Sequence, residues 1–403
     1  MGENKQEPFG PLQGVKILDS GRNNAGPWAA SLAADFGADV IHVEPPMGEI
    51  YRMSHAGWAQ EKRNQRSLTL NMKAEEAQEI FLKLLDQADI WIESSIPGTY
   101  EKLGLTDERI LERNPKLVIM HVSGYGQSGD PSYTQRASYD MIGQAFGGLM
   151  SLAGEPDPSP PIAGKPYVCD YISGLFTLWS ALAAYIYAQK TGRGQSVDVA
   201  QYESVFRILA DTAVNYFHSD LIPERMGNKH PLAIPWDTYK SKDGKWFCIN
   251  AANEPFSRLC VAIGVDPKDP TWYPQFENCL RGTAGAEAFD KILTEWVATR
   301  DADEVEEILT IKHQVPCQRV YSIKDMAEDP HFEAREDFIE WEDPVFDRVK
   351  GAGMVPKFSL TPGKVVSGAP TLGQHNDQIL SELGYSTDEI AKLKEEGAVG
   401  EVW

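Results

Sequence analysis

The feature that most constrains the fold is a rhythm starting at Val15: a short β-branched apolar run, a helical pattern, and another apolar run, repeated. VKILDS leads into a helical pattern from Pro27 to Phe36, stopped by Gly37, and then DVIHVE. Pro27 suits a first helical turn, and Gly37 the position just past a helix end. A second round brings a helical pattern over Ala74 to Gln87, the run IWIESS, a short helix after Thr106, and LVIMHVSG ending at Gly124. Strands joined by helical crossovers pair in parallel, so the rhythm predicts an α/β fold on a parallel sheet.

A chain of 403 residues exceeds one ordinary core, which predicts two compact domains. Between Gly124 and Asp170 the chain is rich in Gly, Pro, Ser and Tyr and reads as loops, with one short helix over Met141 to Leu149. Loops of that length in a compact enzyme are usually functional. An apolar helix follows over Ser173 to Gln189, then the strand-like QSVDVA and a helix through Asp211. The character changes near Met226: TYKSKDGKWFCIN reads as a hairpin turning at Asp243 and Gly244, followed by helices over Glu287 to Ala298 and Ala302 to Leu309. A smaller α+β domain is therefore placed at 226–325, after a first domain at 1–225. The tail, 326–403, carries FIEWEDP, GMVPKFS and a helical segment over Asp377 to Glu396; it has no core of its own and is expected to pack back on the first domain.

Acidic side chains outnumber basic ones by 59 to 38, a formal charge of −21, and such a field repels nucleic acid and anionic lipid. Any polyanionic ligand must be held by a local cluster of Lys, Arg and helix N-termini. Cys169, Cys248, Cys260, Cys279 and Cys317 are scattered and show neither CxxC pairing nor zinc-site spacing, which suits a reducing compartment. MGENKQEPFG lacks an apolar leader core, and the most apolar stretch, Gly174 to Ala188, is short for a bilayer. The expectation is a cytoplasmic protein with no membrane partner.

The turn after the first strand, SGRNNAGP, is not a GxGxxG loop, so a nicotinamide dinucleotide is disfavoured. It still sets backbone N–H groups at a helix N-terminus, suited to a phosphate, although a plain strand-to-helix turn fits those residues as well. Asp170, in PYVCDYISGL, sits where a Pro- and Gly-rich loop meets the apolar helix. Most such aspartates are helix caps; alternatively, a carboxylate kept ionised by the helix dipole could attack a thioester carbonyl. His42, His121 and His331 lie in apolar or capping contexts and read as structural. DADEVEEIL at Asp301 reads as a solvated helix face, and no metal site is assigned.

Taken together, several segments resemble one family. DSGRNNAGP followed by GADVIHVE, then LTLNMK, HVSGYGQSGDPSYTQRASYDMIGQAFGG, the Asp170 segment, TGRGQSVDVAQYE, VPCQRVY and LGQHND resemble the family III CoA-transferases in family order, from Leu12 to about Tyr385. SGYGQ and DPHFEAREDFIEW resemble the carnitine and bile-acid branches. The resemblance implies a Rossmann-like large domain built from both chain ends, a small middle domain, and an interlocked homodimer. It implies acyl-CoA and carboxylic acid substrates, with no tightly bound cofactor. It makes Asp170 the nucleophile, carrying in turn an acyl anhydride, an aspartyl-CoA thioester and a second anhydride. Contacts to coenzyme A fall on Asn24, Leu70, Lys73, Ser94, Ser95 and Lys102, with Arg52 and Arg136 as further candidates, and Tyr139 faces the acyl group.

Departures narrow that transfer. Ile96 stands where the carnitine branch has a lysine, and PLAIPWDTYK lacks a glycine-rich loop, which disfavours formyl or oxalyl transfer. A 2-methylacyl-CoA racemase of the same fold needs a histidine base where Tyr139 stands, and tyrosine, with a pKa of about 10, is a poor substitute. The alternatives are that racemase and a non-catalytic acyl-CoA binding protein. Trp28, Trp58, Tyr125 and Trp236 are candidate aromatic contacts for a trimethylammonium group or a large apolar acid.

Overall fold

The computed structural model describes residues 9–252 and 254–400, so the polar opening MGENKQEP lies outside the described residues. The chain divides into two compact units. The first takes the described residues through Leu149, then Ala163–Leu221, and the stretch from Glu333 onward; the second takes Met150–Ile162 and Ile222–Phe332.

The first unit is built on a six-stranded sheet of β1 (Lys16–Asp19), β2 (Asp39–Glu44), β3 (Gln65–Thr69), β4 (Ile90–Glu93), β5 (Val118–Ser123) and β6 (Gln195–Ala200). The order is β3-β2-β1-β4-β5-β6 and every pairing is parallel. The chain starts in the middle at β1, builds outward to β3, and returns to β4 on the other side. The loops that follow β1 and β4 therefore diverge, and a doubly wound sheet opens its crevice at the carboxyl ends of such neighbours.

Successive strand residues face opposite layers, as the two-residue period demands. Ile17, Ile90, Ile92, Val118 and Met120 meet the helix Pro27–Asp35 through Ala29, Ala30, Ala33 and Ala34, and the helix Val168–Thr191 through Ala181, Ala184 and Ala188. These small residues let the two helices approach closely: a Cβ at Gly174 would lie 2.8 Å from the Trp28 ring. On the other face Leu18, Leu68, Trp91 and Ile119 meet Ile80, Phe81 and Leu84 of the helix Glu75–Leu85. Ile379, Leu380, Ile390 and Leu393 from the tail complete that layer.

The tail differs in detail from its sequence pattern. The segment over Asp377 to Glu396 is two helices, Asn376–Glu382 and Thr387–Glu395, separated by Gly384 at φ +90° and restarted by a capping box from Ser386 to Glu389. FIEWEDP carries the first strand, Phe338–Asp343, of an antiparallel hairpin with Asp347–Ala352. Trp341 of this hairpin lies under the Arg63 guanidinium at 4.8 Å.

In the second unit β7 (Trp236–Lys240) and β8 (Trp246–Asn250) form the antiparallel hairpin read from the sequence, and β9 (Cys317–Arg319) adds to β8. Its core gathers Phe247, Phe256, Leu259, Phe289, Leu293 and Val305. The helix predicted to begin at Glu287 starts at Ala284, and that predicted over Ala302 to Leu309 ends at Glu306 and widens into a π turn, Glu307–Lys312.

One expectation needs correction. The apolar stretch read as Gly174 to Ala188 is part of a helix of 24 residues, Val168–Thr191, long and apolar enough to cross a membrane. In the fold it lies on the sheet with Ser173, Thr177, Ala181, Ala184 and Ala188 buried.

Phe81 is fully buried between Trp91, at 5.6 Å, and Tyr100, at 5.8 Å. Phe81→Ala is expected to cost about 3–5 kcal/mol, read as a lower urea midpoint with an unchanged slope.

Candidate active site

The loops after β1, β4 and β5 surround a cleft of about 210 Å³ at the carboxyl ends of the strands. Arg22, Asn23, Ser94, Ser95, Arg136, Tyr139, Asp170 and Gln201 line it. A second cleft, of about 220 Å³, runs over the ends of β1, β2 and β3 and is lined by Leu70, Lys73 and Tyr100. Arg22 borders both, and its backbone N–H donates to Ser94 Oγ at 2.7 Å, tying the β1 loop to the β4 loop.

Asp170 does not cap the helix. It is the third residue inside it, because the helix begins at Val168 and not near Ser173. The cap comes from a distant residue: Asp140 Oδ1 accepts the backbone N–H of Cys169 at 2.8 Å and of Asp170 at 3.3 Å. Asp140 is held in turn by Gln144, whose Nε2 donates to Oδ2 at 2.7 Å. With the orphan N–H groups satisfied elsewhere, the Asp170 carboxylate is free for another task. Gln201 Nε2 donates to its Oδ1 at 2.7 Å; among the described residues Oδ2 has no hydrogen-bond partner.

Burial, and then the neighbouring Asp140 charge, push the Asp170 carboxyl up to about 7, against the Gln201 hydrogen bond. The dipole alone does not keep it ionised, as the sequence had suggested. Cys169 is no rival nucleophile, since burial pushes its thiol up to about 12 and its side chain is fully enclosed. The helix Asp140–Phe146 approaches so closely that a Cβ at Gly143 would stand 2.4 Å from Cys169 Sγ.

The residues marked in the sequence are distributed unevenly. Ser94, Ser95, Arg136 and Tyr139 share the cleft with Asp170, and Ile96 lies beside them where the lysine of the carnitine branch is missing. Leu70 and Lys73 lie in the second cleft. Asn24 is buried, hydrogen-bonded to the Tyr51 hydroxyl, and Asn23 takes its place on the cleft wall. Lys102 is exposed on a short turn, Glu101–Leu103, outside both cleft linings. Arg52 stands apart: it forms a fork with Glu44 at 2.7 and 2.6 Å, stacks 3.9 Å over Trp58, and borders a different hollow with His55 and Leu372.

The four candidate aromatics serve separate neighbours. Trp28 packs edge-on to Tyr171, Trp58 donates its indole N–H to Pro370 O, Tyr125 clusters with Tyr133, Phe146 and Tyr202, and Trp236 stacks on His230 in the second unit. The sequence reading passed over Arg22, Asp140 and Gln201. Arg22 sat in the SGRNNAGP turn already marked for phosphate and was the available signal.

Asp170 thus stands at an Arg-bordered cleft at the carboxyl ends of a parallel sheet. A profile of CoA-transferase family III covers residues 12–376. The chain belongs to CoA-transferase family III. It is 43% identical over 401 residues to the bile acid CoA-transferase BaiK of Clostridium scindens, covering 98% of this chain and 91% of that protein. It is 35% identical over 399 residues to the L-carnitine CoA-transferase of Proteus mirabilis, with 96% of each covered. The crystal structure of a CAIB/BAIF family protein from Brucella suis superposes with a TM-score of 0.80 at 32% identity, over 93% of this chain and all of that one. As a member of this family the protein is a CoA-transferase, with CoA thioesters as its substrates.

The Asp170 shift carries a sign. An acid whose carboxyl is held higher in the fold than in the open chain loses folding stability as pH rises from about 4 to about 7. Asp170→Asn is therefore expected to melt above the wild type at pH 8, with the gain shrinking as the pH falls toward 4. Calorimetry across that range checks it, and equal melting shifts at both ends would contradict the burial argument.

Proposed function

We propose that this CoA-transferase moves coenzyme A from an acyl-CoA to a free carboxylic acid with Asp170 as the nucleophile. The observation that carries the reading is that Asp140 caps the helix, leaving Asp170 Oδ2 at the cleft with no hydrogen-bond partner among the described residues. Oδ2 attacks the thioester carbonyl, the C–S bond breaks, and CoA leaves as its thiolate. The thiolate then attacks the aspartyl carbon of the anhydride, releasing the donor acid and leaving an aspartyl-CoA thioester. The acceptor carboxylate attacks that thioester, the C–S bond breaks and a second anhydride forms; the released thiolate then attacks the acceptor's acyl carbon, giving the new acyl-CoA and returning Asp170 as its carboxylate. In each attack on the aspartyl carbon, negative charge develops on Oδ1, where Gln201 Nε2 already donates at 2.7 Å.

Arg22, Ser94, Ser95 and Arg136 are the groups for the CoA phosphates and pantetheine near Asp170, with Leu70 and Lys73 along the second cleft. This local positive edge answers the overall charge of −21. For the acid we propose the bile-acid or carnitine type, supported by the identity to those two relatives and by Ile96, Tyr139 and Ala137 on the cleft wall. The cytoplasm is the proposed location, a reading that the five free cysteines support.

We also propose a homodimer. Leu175, Trp179 and Ile186 form an outer stripe on the Val168–Thr191 helix and are 51%, 60% and 53% exposed, although the opposite stripe is buried on the sheet. A helix apolar on both sides calls for a second covering surface, and a second copy of this chain would provide it. Trp179→Glu is expected to sediment as a monomer at concentrations where the wild type is a dimer; unchanged sedimentation would sink the dimer through this face.

The mechanism is tested by incubating the protein with cholyl-CoA or crotonobetainyl-CoA and trapping with hydroxylamine before mass spectrometry. Modification at Asp170 alone is expected, with Asp170→Ala inactive by at least about 10³-fold and Gln201→Ala slower by about 10²-fold in kcat. Retention of transfer by a folded Asp170→Ala, or deuterium uptake from heavy water at the α-carbon of a 2-methylacyl-CoA in its place, would move the racemase ahead.

A further inference from the structure

Two histidines read as structural from the sequence occupy equivalent places on either side of the switch point. Asp19 is the last residue of β1 and is directly paired with His42 on β2; Glu93 is the last residue of β4 and is paired with His121 on β5. His42 Nδ1 meets Asp19 Oδ2 at 2.8 Å, and His121 Nδ1 meets Glu93 Oε1 at 2.7 Å. The other oxygen of each acid accepts a backbone N–H two residues on: Gly21 to Asp19 Oδ1 at 2.9 Å, and Ser95 to Glu93 Oε2 at 2.7 Å. Gly21 belongs to the β1 loop and Ser95 to the β4 loop, the two loops that Arg22 N–H and Ser94 Oγ join across the cleft.

Each ring is also held from its far side. His42 Nε2 meets Glu49 Oε1 at 3.1 Å, and Glu49 Oε2 accepts the Asn23 N–H at 3.0 Å. His121 Nε2 meets Asp107 at 3.0 Å, and Asp107 accepts from Ser196 Oγ on β6. An ionised carboxylate only accepts, so a ring whose two nitrogens both face carboxylates donates from both as an imidazolium. The charges facing His42 are Asp19, Glu49 and Lys62; those facing His121 are Glu93, Asp107 and, further off, Asp198. Burial pulls both rings down, and Lys62 adds to that for His42, yet the carboxylates raise them to about 9 and about 10, so both brackets stay charged at neutral pH.

We propose that His42 and His121 are positioning residues of the cleft, each clamping a strand-end acid so that its loop presents Arg22, Asn23, Ser94 and Ser95 to the phosphates and pantetheine of a CoA thioester. The inference rests on the proposed reading of this cleft as the coenzyme A site. Neither ring lines the cleft with Asp170. The brackets therefore act on where CoA is held and not on the attack itself, and losing one lowers affinity more than chemistry.

The test uses the full chain with free coenzyme A as probe. Titration calorimetry gives the Kd of wild type, His121→Gln and His42→Gln, and single-turnover acylation of Asp170 at saturating acyl-CoA gives the chemical rate. Expected for His121→Gln is a Kd raised about tenfold or more with a saturated rate within about threefold of wild type. His42 is fully enclosed, so if His42→Gln does not fold, Glu49→Gln, which weakens the same bracket from its far side, serves as the second variant and is expected to show the same split. A Kd within twofold of wild type in the folded variants, or Kd unchanged with a lost rate, overturns the positioning role. A wild type that binds no coenzyme A instead overturns the reading of the cleft.

Discussion

The contact on which the site depends is a carboxylate at the end of another helix. Asp140 Oδ1 takes the backbone N–H groups of Cys169 and Asp170, so the Val168–Thr191 helix starts five residues earlier than its own sequence pattern suggests. An N-cap is worth about 1 kcal/mol, enough to fix the first turn of a helix whose interior is already packed. The same contact sets a second negative charge close to Asp170, and that charge joins burial in holding the Asp170 carboxyl high. One interaction therefore places Asp170 at the cleft, removes it from capping duty, and raises the affinity of its carboxyl for a proton.

A charge of −21 and a polyanionic substrate are reconciled locally. The acids around the clefts, Glu44 and Glu49 on the wall of the second among them, are paired: Asp19 and Glu49 with His42 and Lys62, Glu44 with Arg52, and Glu93 and Asp107 with His121. Arg22, Lys73 and Arg136 remain on the cleft walls. Buried ion pairs of this kind contribute little net stability, because desolvation offsets their attraction, but they fix geometry where a loop must keep one shape.

Much of the first unit was legible because its strands are short apolar runs separated by helical periods. Of the six-stranded sheet only β3 escaped: QRSLT has two polar residues in its first half, and its edge is finished by Asn376, whose side chain bonds the Thr69 N–H and hydroxyl. The tail hairpin escaped because FIEWEDP and DRVKGA are crowded with charges, and the adjacent pairs Glu342–Asp343 and Asp347–Arg348 break the two-residue alternation of a strand. At the site, Asp170, Ser94, Ser95 and Tyr139 were reached through the resemblance. The partners that give them geometry were not, since Asp140 and Asp170 are 30 residues apart, and Asp19 meets His42 only through sheet register. Local patterns carry no record of contacts made by folding.

The way the tail completes the sheet bears on synthesis. Ile379, Leu380, Ile390 and Leu393 cover one face of the first unit's core, and they are among the last described residues to leave the ribosome. Asp170 and both loops of the cleft emerge long before them. The second unit, finished by Phe332, already has its own apolar core at that stage. A nascent chain at that stage therefore carries a closed small unit and an open large one, with a strip of Leu, Trp and Phe side chains bare until Ile379 to Leu393 follow. Arrest of synthesis before Ile379 leaves a chain that already holds Asp170 and the cleft loops and whose exposed sheet face is a substrate for chaperones and proteases.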